Sequence, residues 1–154
     1  MQLFDHYHID VIGFFHGYNG LICAESIAEA KLIGLSHVKS IIHRGGTFLK
    51  SARCEQMLTE NGLKQAAKTL QEQNIDALIV VGGDGSFNGL LALKNHWQGQ
   101  LIGIPGTIDN DLDGTDFTIG FATAVNTAIE AIDKIRDTAD AFERIFLVEL
   151  MGRQ

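Results

Sequence analysis

The stretch that most limits what this chain can fold into is Ala77-Leu78-Ile79-Val80-Val81, followed without a break by Gly82-Gly83-Asp84-Gly85-Ser86. A short apolar run without alternation is the pattern of a strand buried on both faces of a parallel sheet. The glycines end it, and Phe87 to Lys94 reads as a helix. Strand, glycine turn and helix make the first part of a βαβ unit, so a second strand should follow. Leu101 to Ile104 supplies it and breaks at Pro105-Gly106, which a strand interior does not tolerate.

The same alternation runs along the rest of the chain. Ile9 to Phe15 is short, apolar and β-branched and reads as a strand, with His16-Gly17-Tyr18-Asn19-Gly20 turning the chain after it. Residues 23 to 35 fit either a short helix or irregular structure. Arg44-Gly45-Gly46-Thr47 is a glycine turn, and Ser51-Ala52-Arg53 lies on the same loop. Leu63, Ala66, Ala67 and Leu70 share one face of a helix from Glu60 to Gln73. Phe121, Val125, Ile129, Ile132 and Ile135 form a stripe on a long helix from Thr118 to Arg136, and Ile145 to Leu150 reads as a last strand. This order predicts an α/β fold, a Rossmann-like three-layer α/β/α arrangement around a parallel sheet with right-handed crossovers. No linker interrupts it, so residues 1–154 read as a single domain. A complete α/β domain covers its last strand with a further helix, and here only Met151 to Gln154 follow, so the domain reads as partial.

Composition narrows the class. The net charge of −7 argues against a broad nucleic-acid-binding face. Cys23 and Cys54 lack CxxC spacing and read as reduced thiols of a cytoplasmic protein. No apolar run approaches the roughly 20 residues of a membrane span, and Met1-Gln2-Leu3-Phe4-Asp5 has no signal-peptide character.

Two loops carry the chemistry. Glycines lacking Cβ let the backbone approach a phosphate, and a helix N-terminus adds N–H donors and the positive dipole end. Asp84 would repel a bare phosphate and makes sense there if it holds Mg²⁺, which prefers carboxylate and phosphate oxygens. The other reading of the loop is a plain glycine turn with Asp84 capping the helix. The second loop, Pro105-Gly106-Thr107-Ile108-Asp109-Asn110-Asp111, puts a threonine and two carboxylates at a strand's carboxyl end, where open α/β sheets keep their chemistry. That spacing fits a polar turn as well. No Gly-Lys-Ser/Thr completes a Walker A loop, and Asn88 stands where a dinucleotide fingerprint needs its third glycine. Asp109-Asn110-Asp111-Leu112-Asp113-Gly114 mimics an EF-hand start, but its twelfth position is Gly120 rather than glutamate, which excludes calcium. The histidines show no metal-ligand spacing.

Five stretches together resemble the 6-phosphofructokinase family of the bacterial, ATP-dependent type. They are Arg44-Gly45-Gly46-Thr47-Phe48-Leu49 with Ser51-Ala52-Arg53, the Gly82–Ser86 loop, the Pro105–Asp111 loop, Gly114-Thr115-Asp116-Phe117-Thr118-Ile119-Gly120-Phe121, and Met151-Gly152-Arg153. The resemblance implies transfer of the ATP γ-phosphate to the 1-hydroxyl of fructose 6-phosphate, a glycolytic kinase step. It implies Asp109 as the base, with Thr107, Ile108 and Asp111 beside it in the sugar site. It implies Asp84 as the magnesium residue, and Gly83, Gly85, Ser86 and Gly89 as the nucleotide-phosphate loop, with Arg53 and Cys54 as further ATP contacts. Arg144, Met151, Gly152 and Arg153 resemble fructose-6-phosphate contacts, and Arg136 resembles a residue of an allosteric nucleotide site. Glycine at 85 and 106, where pyrophosphate users tend to carry Asp and Lys, favours ATP. The resemblance also implies a cytoplasmic homotetramer, with neither nucleic acid nor membrane as a partner.

The family also opens with a strand and a second glycine loop, and closes with a sugar-binding lobe. Neither is matched here, so the chain resembles the central part of the nucleotide-binding lobe. Edges left unpaired by that loss predict that the isolated polypeptide associates and lacks turnover. Two competing functions are weighed. A kinase of the related NAD kinase or diacylglycerol kinase group shares Gly-Gly-Asp-Gly but is disfavoured by Thr107-Ile108-Asp109-Asn110-Asp111. A non-catalytic nucleotide-binding module is the other.

Overall fold

A computed structural model of the chain describes residues 9–23, 30–39 and 41–152. Arg153 and Met1–Asp5 lie outside the described residues, as do residues 24–29 of the stretch left open between helix and irregular structure. The described backbone falls into two compact units, one of residues 1–76 with 91–100 and one of residues 77–90 with 101–154.

The first unit begins with β1 (Ile12–Phe14) and α1 (Tyr18–Ile22), followed by β2 (Ala30–Leu32) and α2 (Leu35–Lys39). β1 pairs with β2 antiparallel, Ile12 opposite Leu32 and Phe14 opposite Ala30. The strand expected at Ile9–Phe15 therefore pairs in an antiparallel hairpin rather than in the parallel sheet, which β3 (Ala77–Gly82) and β4 (Gln100–Pro105) form. A parallel return needs a crossover of a dozen or more residues, usually a helix that spans the sheet. At five residues, α1 advances only about 7.5 Å at the usual rise per residue. The strand also shortens from the expected Ile9–Phe15, because His16 and Gly17 take left-handed conformations (φ 60° and 61°) and turn the chain.

Unit one is held by the helix the periodicity foretold. A 3₁₀ turn (Glu55–Leu58) leads into α3 (Glu60–Glu72). Thr59 caps α3: its Oγ1 accepts from the Gly62 N–H at 3.1 Å and donates to the Gln56 carbonyl at 2.7 Å. Gly62 is needed there, because a Cβ would drive into the Gln56 carbonyl oxygen and lie 2.6 Å from its carbon. Leu63, Ala66, Ala67 and Leu70 are buried as expected, with Leu21, Ile22, Met57, Leu93 and Trp97 completing this core. On the outer face Lys64 meets Glu60 at 3.0 Å and Lys68 meets Glu72 at 3.6 Å. The Lys64 hydrogen bond holds the Glu60 carboxyl below its usual range. Burial pushes the Tyr18 phenol up to about 12. Both cysteines are free thiols.

The second unit contains β3 (Ala77–Gly82), the start of α4 (Asp84–Leu93), β4 (Gln100–Pro105) and α5 (Phe121–Phe142). β3 and β4 are neighbours in a two-stranded sheet. The Gly106 N–H donates to the Gly82 carbonyl, and the Gln100 N–H donates to the Asp76 carbonyl at the other end. The offset is the same at both ends, so the strands run parallel and β3–α4–β4 is the expected βαβ unit. α4 begins at Asp84 rather than Phe87: Ser86 and Phe87 both donate to the Gly83 carbonyl, so the glycine loop is itself the helix's first turn.

Three expectations fail in this unit. β3 was expected to be buried on both faces, but only Leu78 is buried, while Val81 is 61% exposed. Two strands leave most of their faces uncovered. The last strand, Ile145 to Leu150, is irregular and exposed. An apolar segment becomes a strand only where a neighbour accepts and supplies backbone hydrogen bonds. The helix expected from Thr118 to Arg136 runs instead from Phe121 to Phe142, capped at Gly120, with no residue buried. Alanine-rich composition and intrahelical bonds support it without tertiary cover. No helix among the described residues is long and apolar enough to cross a membrane.

Candidate active site

The site is built where the two parallel strands of the second unit end. After β3, Gly82 and Gly83 turn the chain directly into α4, so the orphan N–H groups of a helix start lie beside the strand's carboxyl end. After β4, Gly106 and Thr107 run alongside. The Gly106 N–H donates to the Gly82 carbonyl at 2.9 Å. A Cβ on Gly83 would lie 3.3 Å from the Thr107 Cβ and 3.5 Å from its Oγ1, and one on Gly106 would meet the Val81 Cγ1 at 2.7 Å. The two loops singled out in the sequence are in contact, at the carboxyl edge where open α/β sheets bind ligands.

On the first loop, Asp84 is exposed and accepts a hydrogen bond from the Asn88 amide at 3.1 Å. Space beyond Gly85 is open. Ser86 and Gly89 are half-buried in α4. On the second loop Thr107, Asp109 and Asp111 are half-buried and Ile108 is exposed. The Thr107 Oγ1 accepts from the Asp109 N–H at 3.2 Å. Asn110, between the two aspartates, is left-handed (φ 51°). Its Oδ1 accepts from the Thr118 N–H at 2.9 Å and its Nδ2 donates to the Asp116 carbonyl at 3.2 Å. Thr118 is 5% exposed, and its hydroxyl donates to the Thr107 carbonyl at 2.6 Å. The sequence reading missed Asn110 and Thr118. Asn110 was overshadowed by its two acidic neighbours, and Thr118 looked like the opening of a helix.

Among the described residues no three or more His, Cys, Asp or Glu side chains form a group that could hold a metal ion. A metal site here would use one or two carboxylates, with the remaining ligands supplied by phosphate and water. Mg²⁺ is bound in this way in phosphoryl-transfer sites, and the exposed carboxylate of Asp84 at the start of α4 fits it.

Arg53 and Cys54 belong to the first unit, where the Asn19 amide donates to the Arg53 carbonyl at 3.0 Å. Arg136 is exposed on α5 and lies 3.8 Å from Asp133. The Arg144 guanidinium lies 4.9 Å over the Phe142 ring, a local contact at the end of α5. Met151 and Gly152 are exposed on the irregular segment.

Comparison with known proteins decides the family. The phosphofructokinase family model matches residues 1–154, the whole chain. The chain belongs to the phosphofructokinase family. It is 51% identical over 145 residues to ATP-dependent 6-phosphofructokinase 1 of Thermus thermophilus, covering 94% of the chain and 44% of that protein. It is 53% identical over 148 residues to the ATP-dependent 6-phosphofructokinase of Clostridioides difficile, covering 96% of the chain and 45% of that protein. Among solved structures it matches phosphofructokinase from Saccharomyces cerevisiae with a TM-score of 0.81 and 34% identity, over 96% of the chain and 22% of the yeast one. This phosphofructokinase-family chain thus spans less than half the length of the relatives it matches. Its mixed α/β fold with a parallel sheet agrees with theirs.

Proposed function

We propose that the chain carries the nucleotide and catalytic loops of an ATP-dependent 6-phosphofructokinase, transferring the ATP γ-phosphate to the 1-hydroxyl of fructose 6-phosphate. The Gly106 N–H to Gly82 carbonyl hydrogen bond, with Thr107 filling the space a Cβ on Gly83 would need, carries this reading, because it puts a phosphate-binding turn and a carboxylate loop side by side. Phosphoryl transfer asks little covalent chemistry of a protein and depends on positioning and charge stabilisation. Gly83 and Gly85 offer backbone donors and room for the phosphates at the start of α4, and Ser86 and Gly89 follow along the helix. Asp84 would hold Mg²⁺, which neutralises charge on the transferring group. Asp109 accepts the proton of the attacking hydroxyl, with Thr107, Ile108 and Asp111 lining the same loop.

Arg53 and Cys54 are proposed as further nucleotide contacts, and Arg144, Met151, Gly152 and Arg153 as contacts of the sugar phosphate. Arg136 is proposed for an effector site, exchanging its pairing with Asp133 for a phosphate. A cytoplasmic homotetramer and a single partial domain over residues 1–154 belong to the same reading. Glycine at 85 and 106 supports ATP over pyrophosphate, and any side chain at 106 would have to displace Val81.

The test is turnover of fructose 6-phosphate with MgATP, followed by ³¹P NMR, for the chain alone and for the full polypeptide its gene encodes. Appearance of a 1-phosphoryl product in the latter supports the reading. Phosphorylation of NAD in its place would assign the chain to the NAD kinase group. A second reading, a nucleotide-binding module without transfer, is favoured by the uncovered α5 and the exposed 145–150 segment. Nucleotide binding without product in the full polypeptide would establish it.

A further inference from the structure

The Asp109 loop is closed by two residues to which no role has been given. Thr118 is one of two buried polar residues among those described, and both of its polar groups in this loop are spent on it. Its hydroxyl proton goes to the Thr107 carbonyl at 2.6 Å and its N–H to the Asn110 Oδ1 at 2.9 Å. The hydroxyl also lies 3.3 Å from the Asn110 Oδ1, but its single proton is committed to the shorter contact. The Asn110 Nδ2 then reaches the Asp116 carbonyl at 3.2 Å. Next along the chain, the Ile119 N–H donates to the Pro105 carbonyl at 2.9 Å.

These ties grip the chain on either side of Asp109. Thr107, two residues before it, is held through its carbonyl, and its Oγ1 accepts the Asp109 N–H at 3.2 Å. Asn110, one residue after it, is held at both ends of its amide in a left-handed conformation that Asn tolerates better than most residues. A tie serving only to shorten the loop had no need to anchor on the neighbours of Asp109. Fixing both neighbours fixes the backbone from which the carboxylate projects. A misplacement of about 1 Å at a reacting group can cost about 10²-fold in rate.

We propose that Thr118 and Asn110 are positioning residues that hold Asp109 in place. The role of Asp109 itself rests on the kinase reading above, whereas the clasp does not. The test uses the full encoded polypeptide with Thr118→Val, Thr118→Ser and Asn110→Gly, the last keeping the left-handed backbone while removing the amide. Two readouts are taken. Amide hydrogen exchange by NMR should show the Thr118 N–H protected in the parent and in Thr118→Ser. In Asn110→Gly that protection should be lost, and in Thr118→Val the amides of residues 109 to 111 should exchange faster. In kinetics, Thr118→Val and Asn110→Gly should lower kcat about 10-fold or more with little change in either KM, and Thr118→Ser should restore most of it.

An unprotected Thr118 N–H in the parent overturns the proposal. So does an active Thr118→Val whose kcat matches the parent, or a folded Thr118→Ser as impaired as Thr118→Val. Should Thr118→Val fail to fold, Asn110→Gly and Thr118→Ser carry the same two readouts. A parent without turnover defeats the kinase reading alone, and the clasp is then judged on exchange.

Discussion

Gly62→Ala sets two physical effects against each other, and the structure says which wins. Replacing glycine by alanine in a helix ordinarily gains up to about 1 kcal/mol. At Gly62 the added methyl would run into the backbone carbonyl of Gln56, which cannot rotate away as a side chain would. Relief requires moving Gln56, whose carbonyl accepts from the Thr59 Oγ1 at 2.7 Å and the Thr59 N–H at 2.9 Å. Thr59 is the residue that caps α3. Overpacking costs about 1–3 kcal/mol and a lost cap about 0.5–2 kcal/mol. With the propensity gain subtracted, the net loss is about 0.5–4 kcal/mol. The only tryptophan, Trp97, is buried in the same unit and reports its unfolding. With a urea dependence of about 2 kcal/mol per molar, the midpoint should fall by about 0.3–2 M. A variant as stable as the parent, or more so, would mean that helix propensity governs and that the close approach of the 3₁₀ turn to α3 is not real.

Asp109→Ser should lower kcat by about 10²-fold or more while sugar binding persists, read from initial rates and a fructose 6-phosphate titration; an unchanged kcat would remove Asp109 from its proposed role. Asp84→Asn should weaken Mn²⁺ binding in the presence of nucleotide by about tenfold in an EPR titration, whereas equal binding would relieve Asp84 of the metal. Burial raises the Tyr18 phenol from 10.0 to about 12, so the fold favours its neutral form. That contribution is complete below pH 10 and is lost as pH rises towards 12. Urea midpoints should therefore fall more steeply over this window in the parent than in Tyr18→Phe, and parallel curves would contradict the assignment.

The parts legible in the sequence were those fixed by local chemistry. Leu63, Ala66, Ala67 and Leu70 announced the buried face of α3, because helical periodicity needs no knowledge of the partner. The runs ending at Gly82 and Pro105 announced two parallel strands with loops at one edge, since glycine and proline stop strands wherever they stand. What was illegible depended on distant partners. Ile145 to Leu150 has the composition of a strand, but strand formation requires an edge to pair with, and composition does not say whether one is present. The antiparallel return of β2 lies in a stretch with no period to read. Thr118 illustrates a third kind of miss: its burial and the hydrogen bonds its N–H and hydroxyl donate arise from folding back eight and eleven residues, beyond any local pattern.

The direct test of one shared site is amide chemical-shift mapping with Mg²⁺ and a non-hydrolysable ATP analogue, followed by fructose 6-phosphate. The account predicts that the amides of Gly83 to Ser86 and of Thr107 to Asp111 move with one common Kd for the nucleotide, and that the sugar then shifts the second loop further. Nucleotide-dependent shifts confined to one loop, or separate Kd values for the two, would contradict it.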